Sequence, residues 1–182
     1  MRFENRNVTL KDGRKCVLRP THPDDASAMI EYMKVTAGET PYLLRYPDEV
    51  NFTIESEKEI LGNLLESNNS VMMVAVVDGE VAGNCSINGF GNKRKILHRC
   101  GLAIALKKEF WNLGIGTAMI EYLAELAKQI GYEQMELEVV EGNDSAKGLY
   151  EKCGFCETGK HLRALKYDDG TYRDEFIMCK VL

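Results

Sequence analysis

The stretch Trp111-Asn112-Leu113-Gly114-Ile115-Gly116 decides how this sequence folds, because it joins an apolar run to an amphipathic pattern. Before it, the run Leu102-Ala103-Ile104-Ala105-Leu106 predicts a buried strand. After it, apolar residues recur at the spacing of one helix face, and Gly131 is a natural end for that helix. These apolar positions are Ile115, Met119, Tyr122, Leu123, Leu126 and Ile130. The sequence here therefore predicts a strand, a glycine loop and a helix in succession.

This glycine loop is a candidate site for a phosphate or pyrophosphate. The start of a helix presents free backbone N–H groups and the positive end of the helix dipole. Gly114 and Gly116 would let an anion approach the backbone closely. Two better-known phosphate loops are excluded, since Met119 replaces the third glycine of G-x-G-x-x-G and no Gly-Lys-Ser/Thr follows as in the P-loop. By itself, the pair of glycines is equally compatible with a tight turn that binds nothing.

A second patterned segment, residues 143–155 (NDSAKGLYEKCGF), follows a strand predicted over residues 135–140. Together with the loop it resembles the GNAT superfamily of N-acetyltransferases, whose signatures read Q/R-x-x-G-x-G/A and N-x-x-A-x-x-L-Y-x-x-x-G-F. The residues that match the second signature are Asn143, Ala146, Leu149, Tyr150, Gly154 and Phe155. The resemblance is strongest to the branch containing ribosomal-protein N-terminal acetyltransferases and small bacterial amine acetyltransferases.

This resemblance implies a fold and a cofactor. The expected fold is α/β (α+β), with a mixed, mostly antiparallel sheet that splays open at the cofactor site and is flanked by about four helices. Residues 1–182 would form a single acetyltransferase domain, and at 182 residues with 45% hydrophobic content the chain suits one sizeable core. The expected cofactor is acetyl-CoA, acting as acyl donor.

The resemblance also implies which residues contact the cofactor. The pantetheine arm is expected to lie in the gap between the strand ending at Leu106 and the strand of Val139, against the backbone of Ile104, Ala105 and Leu106. The pyrophosphate is expected at the loop and the helix start, on Trp111, Asn112, Leu113, Gly114, Ile115, Gly116 and Thr117.

Charged and polar side chains would complete this cofactor site. Asn143 is expected to cap the next helix and to touch the cofactor. Lys152, with Lys107 and Lys108, could add positive charge near the phosphates, although single surface lysines are usually only solvated.

Tyr150 is the candidate catalytic residue. When an amine attacks a thioester, the departing thiolate must be protonated or stabilised, and a phenol with a pKa of about 10 can do so. From the residues alone a packing role is favoured for Tyr150, since it shares a helix with Ala146 and Leu149 at contact spacing. The family resemblance favours the catalytic role.

The sequence departs from the family pattern at two positions. Trp111 stands where the family has Gln or Arg, so a side-chain contact to phosphate is lost. Gly101 stands where many relatives carry a glutamate that deprotonates the amine through water. The general base is therefore unassigned: the candidates are Glu138, Glu141, His98 and Glu31, and the amine could also lose its proton directly to water.

The expected activity is acetyl transfer to a primary amine by direct attack in a ternary complex. The amine could belong to a small amine or polyamine, an antibiotic, or a protein N-terminus, so the partner is a small molecule or a peptide. Residues 36–50 and the hairpin after Lys160 are expected to shape the acceptor pocket. The alternative is a non-catalytic acyl-CoA-binding sensor or interaction module on the same fold.

Composition excludes some classes of partner. The net charge of −5 and the absence of a basic stripe argue against a nucleic-acid binder. The longest apolar run, residues 71–77, is too short to span a membrane, and residues 1–6 resemble no signal peptide. A cytoplasmic location is therefore expected. An exposed strand edge at the C-terminal hairpin makes a homodimer possible.

The cysteines and histidines do not suggest a metal site. Cys153 and Cys156 form a single C-x-x-C, which could be a redox pair or half of a metal site. No second C-x-x-C and no pair of histidines at ligand spacing accompanies it, so we interpret the cysteines as reduced structural thiols.

Periodicity and turn residues predict the remaining elements. Helices are expected over residues 23–34 and from Thr53 to an end in Ser67-Asn68-Asn69, with a loop over 36–50 between them. The predicted strands are 7–10, 16–19, 71–77, 80–88, 96–106, 162–167 and 172–181.

Overall fold

The computed structural model describes residues 1–182 and contains eight β-strands. They are β1 (Arg6–Thr9), β2 (Lys15–Pro20), β3 (Ser70–Val77), β4 (Glu80–Gly89), β5 (Arg99–Leu106), β6 (Gln134–Val140), β7 (Cys156–Lys166) and β8 (Tyr172–Val181). They form one sheet in the order β1-β2-β3-β4-β5-β6-β8-β7. Every neighbouring pair is antiparallel except β5 and β6, which run parallel. The predicted mixed, mostly antiparallel sheet is confirmed.

Four α-helices cover the two faces of this sheet: α1 (Ala26–Glu39), α2 (Ile54–Glu66), α3 (Ile115–Ile130) and α4 (Asp144–Lys152). Alternation along β3 separates the faces, since Met73 and Ala75 belong to the larger core with α3 whereas Val74 joins the smaller cluster with α1 and α2. No helix combines the length and the apolar character needed to cross a bilayer.

The sheet splays between its two parallel strands. β5 and β6 pair only at three positions, Arg99–Gly101 against Gln134–Glu136. Beyond them β5 stays paired with β4 as far as Leu106, while β6 stays paired with β8 as far as Val140. A gap therefore opens toward the C-terminal ends of both strands, next to the glycine loop and the start of α3. The predicted splay is confirmed.

An ion pair holds the closed end of this gap. The guanidinium of Arg99 donates to both carboxylate oxygens of Glu136, at 2.5 and 2.7 Å, and the side-chain amide of Gln134 donates to the same carboxylate at 2.8 Å. These contacts join the first paired residue of β5 to the first and last paired residues of β6, so they stabilise the short paired segment before the two strands part.

The structure corrects three predicted boundaries. The first helix was expected over residues 23–34, but Pro23–Asp25 is a 3-10 turn and α1 continues to Glu39. The extension is stabilised where the buried Thr36 hydroxyl donates back to the carbonyl of Tyr32 at 3.0 Å. β5 begins at Arg99 rather than at residue 96, because residues 93–99 form hydrogen-bonded turns. β7 begins at Cys156 rather than at residue 162.

Candidate functional site

The glycine loop leaves a run of backbone donors free at the start of α3. Gly114 is the N-cap of the helix, with φ +95°, and Asn112 also has positive φ, +62°. The N–H groups of residues 112–117 donate to no acceptor in the chain. Six consecutive free amides at the positive end of a 16-residue helix form a site suited to a phosphate or pyrophosphate.

The turn between β1 and β2 holds this loop in place. The N–H of Lys11 donates to the carbonyl of Leu113 at 3.2 Å. The guanidinium of Arg14 lies 5.3 Å from the ring centroid of Phe110, which is itself buried before the loop. Contacts from a distant part of the chain therefore fix the loop conformation before any ligand binds.

The two glycines of the loop have different physical roles. A Cβ at Gly114 would meet nothing within 4 Å, so this glycine serves its left-handed backbone conformation and leaves space for a ligand. A Cβ at Gly116 would lie 2.8 Å from Leu149 Cδ2 of α4 and 3.5 Å from Leu106 Cδ1. Gly116 therefore allows α3, α4 and the end of β5 to pack closely, which differs from the expectation that both glycines admit an anion.

Alanine substitutions separate this packing role from helix propensity. Gly148 lies in α4 with open space around its Cβ position, so Gly148→Ala is expected to stabilise the protein by about 0.5–1 kcal/mol. Gly116→Ala gains the same helix propensity, but its new methyl group must displace the side chain of Leu149. We therefore expect this variant to be less stable than Gly148→Ala by about 1 kcal/mol or more. Urea denaturation of both variants measures the difference. Equal stabilisation would show that Leu149 moves without cost.

The backbone N–H and C=O groups of the last residues of β5 point alternately toward β4 and toward the gap. The carbonyl oxygen of Ala105 lies toward β4, where it would be 2.8 Å from a Cβ on Gly83, and it accepts a hydrogen bond from Tyr32 Oη at 2.7 Å. Because backbone polar groups alternate along a strand, those of Ile104 and Leu106 face the gap. The backbone groups of Ile104 and the N–H of Leu106 are therefore available to a pantetheine arm, whereas the carbonyl of Ala105 points away from it and that of Leu106 accepts a bond from Trp111.

Trp111 hydrogen-bonds to the strand end. Its indole Nε1 donates to the carbonyl oxygen of Leu106 at 2.8 Å, and the side chain is half-buried. The loop is thus tied directly to the end of β5.

The three lysines have different environments. The ammonium of Lys107 is buried and paired with Glu80, so it is not free for a phosphate. The backbone N–H of Lys108 donates to a carboxylate oxygen of Glu39 at 2.7 Å. Lys152 lies exposed in the last turn of α4. Neither its ammonium nor that of the exposed Lys108 has a carboxylate within ion-pair distance, so both keep a free charge.

Tyr150 combines a packed ring with a free hydroxyl. Its side chain is only 8% exposed, and its ring lies edge-on to Phe155 with centroids 6.0 Å apart. The Tyr150 hydroxyl has no hydrogen-bond partner in the chain. Every fully buried side-chain polar atom of the protein has such a partner, so the Tyr150 oxygen is not fully buried and must reach the surface. Burial raises the pKa of Tyr150 to about 12, so the phenol keeps its proton at neutral pH.

Asn143 caps α4, as predicted. Its side-chain oxygen accepts a hydrogen bond from the N–H of Ala146 at 3.4 Å. This contact fixes the start of the helix that carries Tyr150. The expected contact between Asn143 and the cofactor stays a prediction.

The candidates for the general base lie in different places. Glu138 is exposed on β6, beyond the last pair with β5, and therefore borders the gap. Glu141 pairs with Lys160 at 3.1 Å, and the backbone carbonyl of His98 accepts bonds at the closed end of the gap. Glu31 lies exposed on α1. Of these residues, Glu138 has the geometry closest to that of a base.

A second carboxylate, Glu175, was missed by the sequence analysis. Glu175 lies on β8 and pairs with Val140 of β6, whereas Glu138 of β6 pairs with Ile177 of β8. Directly paired residues share a sheet face, and so do Glu138 and Val140, which are two residues apart on β6. Glu175 and Glu138 therefore lie on the same face. Burial and then the charge of Glu138 raise the pKa of Glu175, while His161 lowers it. No spacing along the chain could have indicated this neighbour, because β6 and β8 meet only in the folded sheet.

The two segments expected to shape an acceptor pocket do meet. Tyr167 Oη donates to the carbonyl of Pro41 at 2.9 Å, and the N–H of Asp168 donates to Tyr46 Oη at 3.0 Å. Tyr42 Oη donates to the carbonyl of Gly142, just after β6, at 2.8 Å. A cleft of about 580 Å³ lies between these two segments. Its walls include Leu43, Leu44, Tyr46, Leu165, Lys166 and Tyr167.

The C-x-x-C pair does not form a disulfide. Cys153 is buried at the end of α4, where burial raises its thiol pKa, and Cys156 is exposed at the start of β7. All six cysteines are free thiols, which is the structural interpretation favoured from the sequence.

Comparisons with known proteins agree with this geometry. Residues 31–155 match the sequence profile of the Acetyltransferase (GNAT) family. The chain is 31% identical over 181 residues to an N-alpha-acetyltransferase from Sulfurisphaera tokodaii, with 94% of this chain and 96% of that protein covered. The crystal structure of an acetyltransferase of GNAT family from Streptococcus pneumoniae superposes with a TM-score of 0.87 at 26% identity, covering 92% of this chain and 99% of that one.

One similar fold has been solved with a ligand. It is a putative acetyltransferase from Salmonella typhimurium with its cofactor acetyl-CoA, and it superposes with a TM-score of 0.79 at 15% identity. The overlap covers 92% of this chain and 94% of that one.

Proposed function

The chain belongs to the acetyltransferase (GNAT) family and is thus an acyltransferase, and from this premise we propose that it transfers the acetyl group of acetyl-CoA to a primary amine. One observation carries the proposal. The gap between β5 and β6 opens at the same end of the sheet as the six free amides of residues 112–117. An extended arm and a pyrophosphate are the parts of coenzyme A that such an arrangement suits.

The residues present fit the cofactor. We assign the pyrophosphate to the free amides of the loop, where the open space at Gly114 supports a close approach. We assign the amides of the pantetheine arm to the gap-facing backbone of Ile104 and Leu106, in the manner of an added strand. Asn143 and Lys152 would border the cofactor from α4.

Tyr150 is proposed as the general acid. When bound, acetyl-CoA supplies a thioester whose carbonyl carbon accepts the amine and whose sulfur leaves as a thiolate. The hydroxyl of Tyr150 is protonated at neutral pH and is engaged by no protein group, so it is free to donate to the departing sulfur. Direct attack needs no nucleophile from the protein, because holding the two substrates together supplies much of the rate.

Glu138 is proposed to receive the proton of the attacking amine, directly or through water. It stands on the strand that borders the gap, whereas Glu141 is engaged by Lys160. Glu175 on the same face adds a second negative charge, which favours an acceptor that arrives as an ammonium ion.

We propose the α-amino group of a protein or peptide as the preferred acceptor. The similarity to an N-alpha-acetyltransferase over nearly the whole chain supports it. So does chemistry, because an α-amine has a pKa of about 8 and a lysine-type amine one of about 10.4, so an α-amine is far more often neutral at pH 7. The cleft between residues 37–47 and 164–167 would take the residues that follow this amine.

Two measurements test the proposal. Calorimetric titration with acetyl-CoA is expected to give micromolar binding, and release of CoA thiol should be fastest with short peptides bearing a free α-amine. Polyamines and aminoglycoside-type antibiotics are the matched acceptors for comparison. Turnover of polyamines alone would overturn the choice of acceptor. Binding without turnover on any amine would indicate an acyl-CoA sensor, and absence of binding would overturn the acetyltransferase proposal itself.

A further inference from the structure

Two side chains that match no residue of the family signatures hold the end of β5, and the first is Trp111, which replaces the Gln or Arg of the loop signature. Its indole donates to the carbonyl of Leu106, a group that faces the gap. The indole therefore lies between the strand end and the phosphate loop, where an arm running from the gap to the loop must pass. Beyond the three pairs near Arg99, β6 gives this part of β5 no hydrogen bonds, so the contact replaces a missing strand neighbour.

The second side chain is Tyr32 of α1, which reaches β5 from the other side. Its hydroxyl donates to the carbonyl of Ala105 at 2.7 Å and accepts from the backbone N–H of Asn84 at 3.3 Å. Asn84 and Ala105 are register partners in the ladder between β4 and β5. The hydroxyl of Tyr32 thus contacts both members of this register pair.

The side chain of Tyr32 is well anchored for this role. It is only 2% exposed and packs in the smaller core with Met29 and Leu61. The side-chain oxygen of Asn84 lies 3.0 Å from the hydroxyl as a further polar contact. Core packing therefore holds the hydroxyl of Tyr32 in place against Ala105 and Asn84.

We infer that Trp111 and Tyr32 are positioning residues that fix the last two residues of β5, one from each side, and thereby place the thioester end of the cofactor arm. This inference rests on the proposed function. Trp111 acts on affinity, because the indole orders the gap-facing backbone of Leu106 before the arm binds. Tyr32 acts on the reaction step, because its hydroxyl ties the backbone of Ala105 to α1, and loss of this tie would let the strand end shift under the reacting group.

The test of Trp111 separates the two ends of the cofactor. Trp111→Phe keeps an aromatic ring but removes the donor to Leu106. We expect the Kd for acetyl-CoA to rise about tenfold, the effect of one lost hydrogen bond. The Kd for ADP, which carries the pyrophosphate without the pantetheine arm, should stay within about twofold, since the loop amides do not need the indole. Equal weakening for both probes would mean that Trp111 only maintains the loop, and no weakening for either would also overturn the inference.

The test of Tyr32 separates kcat from KM. Tyr32→Phe is expected to lower kcat about 100-fold, the size of effect that a displacement of about 1 Å produces, with little change in the KM for acetyl-CoA. Tyr122→Phe is the matched control, because Tyr122 is also buried and its hydroxyl also donates to a backbone carbonyl, that of Glu4, at 2.6 Å. The control should leave kcat unchanged.

The outcomes distinguish this inference from the proposed function. Failure of the wild-type protein to bind acetyl-CoA would remove the proposed function and the inference together. Binding and turnover by the wild type, with Tyr32→Phe as active as Tyr122→Phe, would overturn the role of Tyr32 alone. A similar fall in both variants would mean a general loss of packing and would also overturn it.

Discussion

Tyr150→Phe is expected to lower kcat by about 100-fold or more while the protein stays folded, because it removes the proposed proton donor and little else. The hydroxyl makes no hydrogen bond within the chain, so its loss breaks no structural contact. The ring keeps its packing against Phe155. The melting temperature should therefore change little, and the KM for acetyl-CoA should stay close to that of the wild type. Steady-state release of CoA thiol measures both constants.

Tyr132→Phe is the control for this prediction. Tyr132 is also buried, but its hydroxyl donates to the carbonyl of Asn69 at 2.6 Å. This variant should lose some stability, about 1 kcal/mol for one hydrogen bond, and keep its kcat. If Tyr150→Phe keeps the wild-type kcat, Tyr150 is not the proton donor and only packs.

The pH profile gives an independent check on Tyr150. Burial raises its pKa from the ordinary 10.0 to about 12. An acid whose pKa is raised loses its proton only as the pH rises through the higher value, so the rate should show no decline near pH 10 that depends on Tyr150. The same shift favours the folded state at pH values below 10, and this contribution is lost as the pH rises through about 12. A Tyr150-dependent decline near pH 10 would contradict the assignment.

Gly114→Trp is expected to weaken acetyl-CoA binding by at least about 100-fold, the effect of losing two or more charge-assisted hydrogen bonds at about 1.5–3 kcal/mol each. The space at the Cβ position of Gly114 is open, so a bulky side chain would extend toward the place where the pyrophosphate is expected. Calorimetric titration with acetyl-CoA and with ADP measures the loss for the whole cofactor and for its pyrophosphate.

Gly131→Trp is the matched control at the other end of the same helix. Gly131 has φ +103° against +95° at Gly114, and a Cβ there also meets nothing within 4 Å. Both substitutions carry a similar strain for a left-handed residue, of about 1–2 kcal/mol. Only Gly114→Trp should lose binding. Equal losses would trace the effect to the helix rather than to the site, and wild-type affinity in Gly114→Trp would move the pyrophosphate away from the loop.

Much of the fold was determined by the sequence alone, because its signals are local. The bounds of α3 and α4 were predicted correctly, since both helices have a strong apolar stripe with a recognisable cap at Gly131 or Asn143. The hairpin turn at Asp78-Gly79 was also predicted, and both residues adopt positive φ there. The end of α1 was missed because Thr36 is stabilised by a side-chain bond that propensity does not reveal.

Only the tertiary structure decided how the site is built, because its contacts join residues far apart in the chain. The six free amides were foreseeable from a helix start, but the clash that makes Gly116 a packing residue comes from Leu149 on another helix. The sequence offers Lys107 as a candidate for binding a phosphate, but in the folded chain its ammonium forms an ion pair with Glu80. Tyr32 carries no motif at all, and its hydroxyl reaches Ala105 only because α1 packs across β4 and β5. Motif spacing reports what a segment does by itself, whereas burial, charge pairing and strand separation arise only when the sheet brings the segments together.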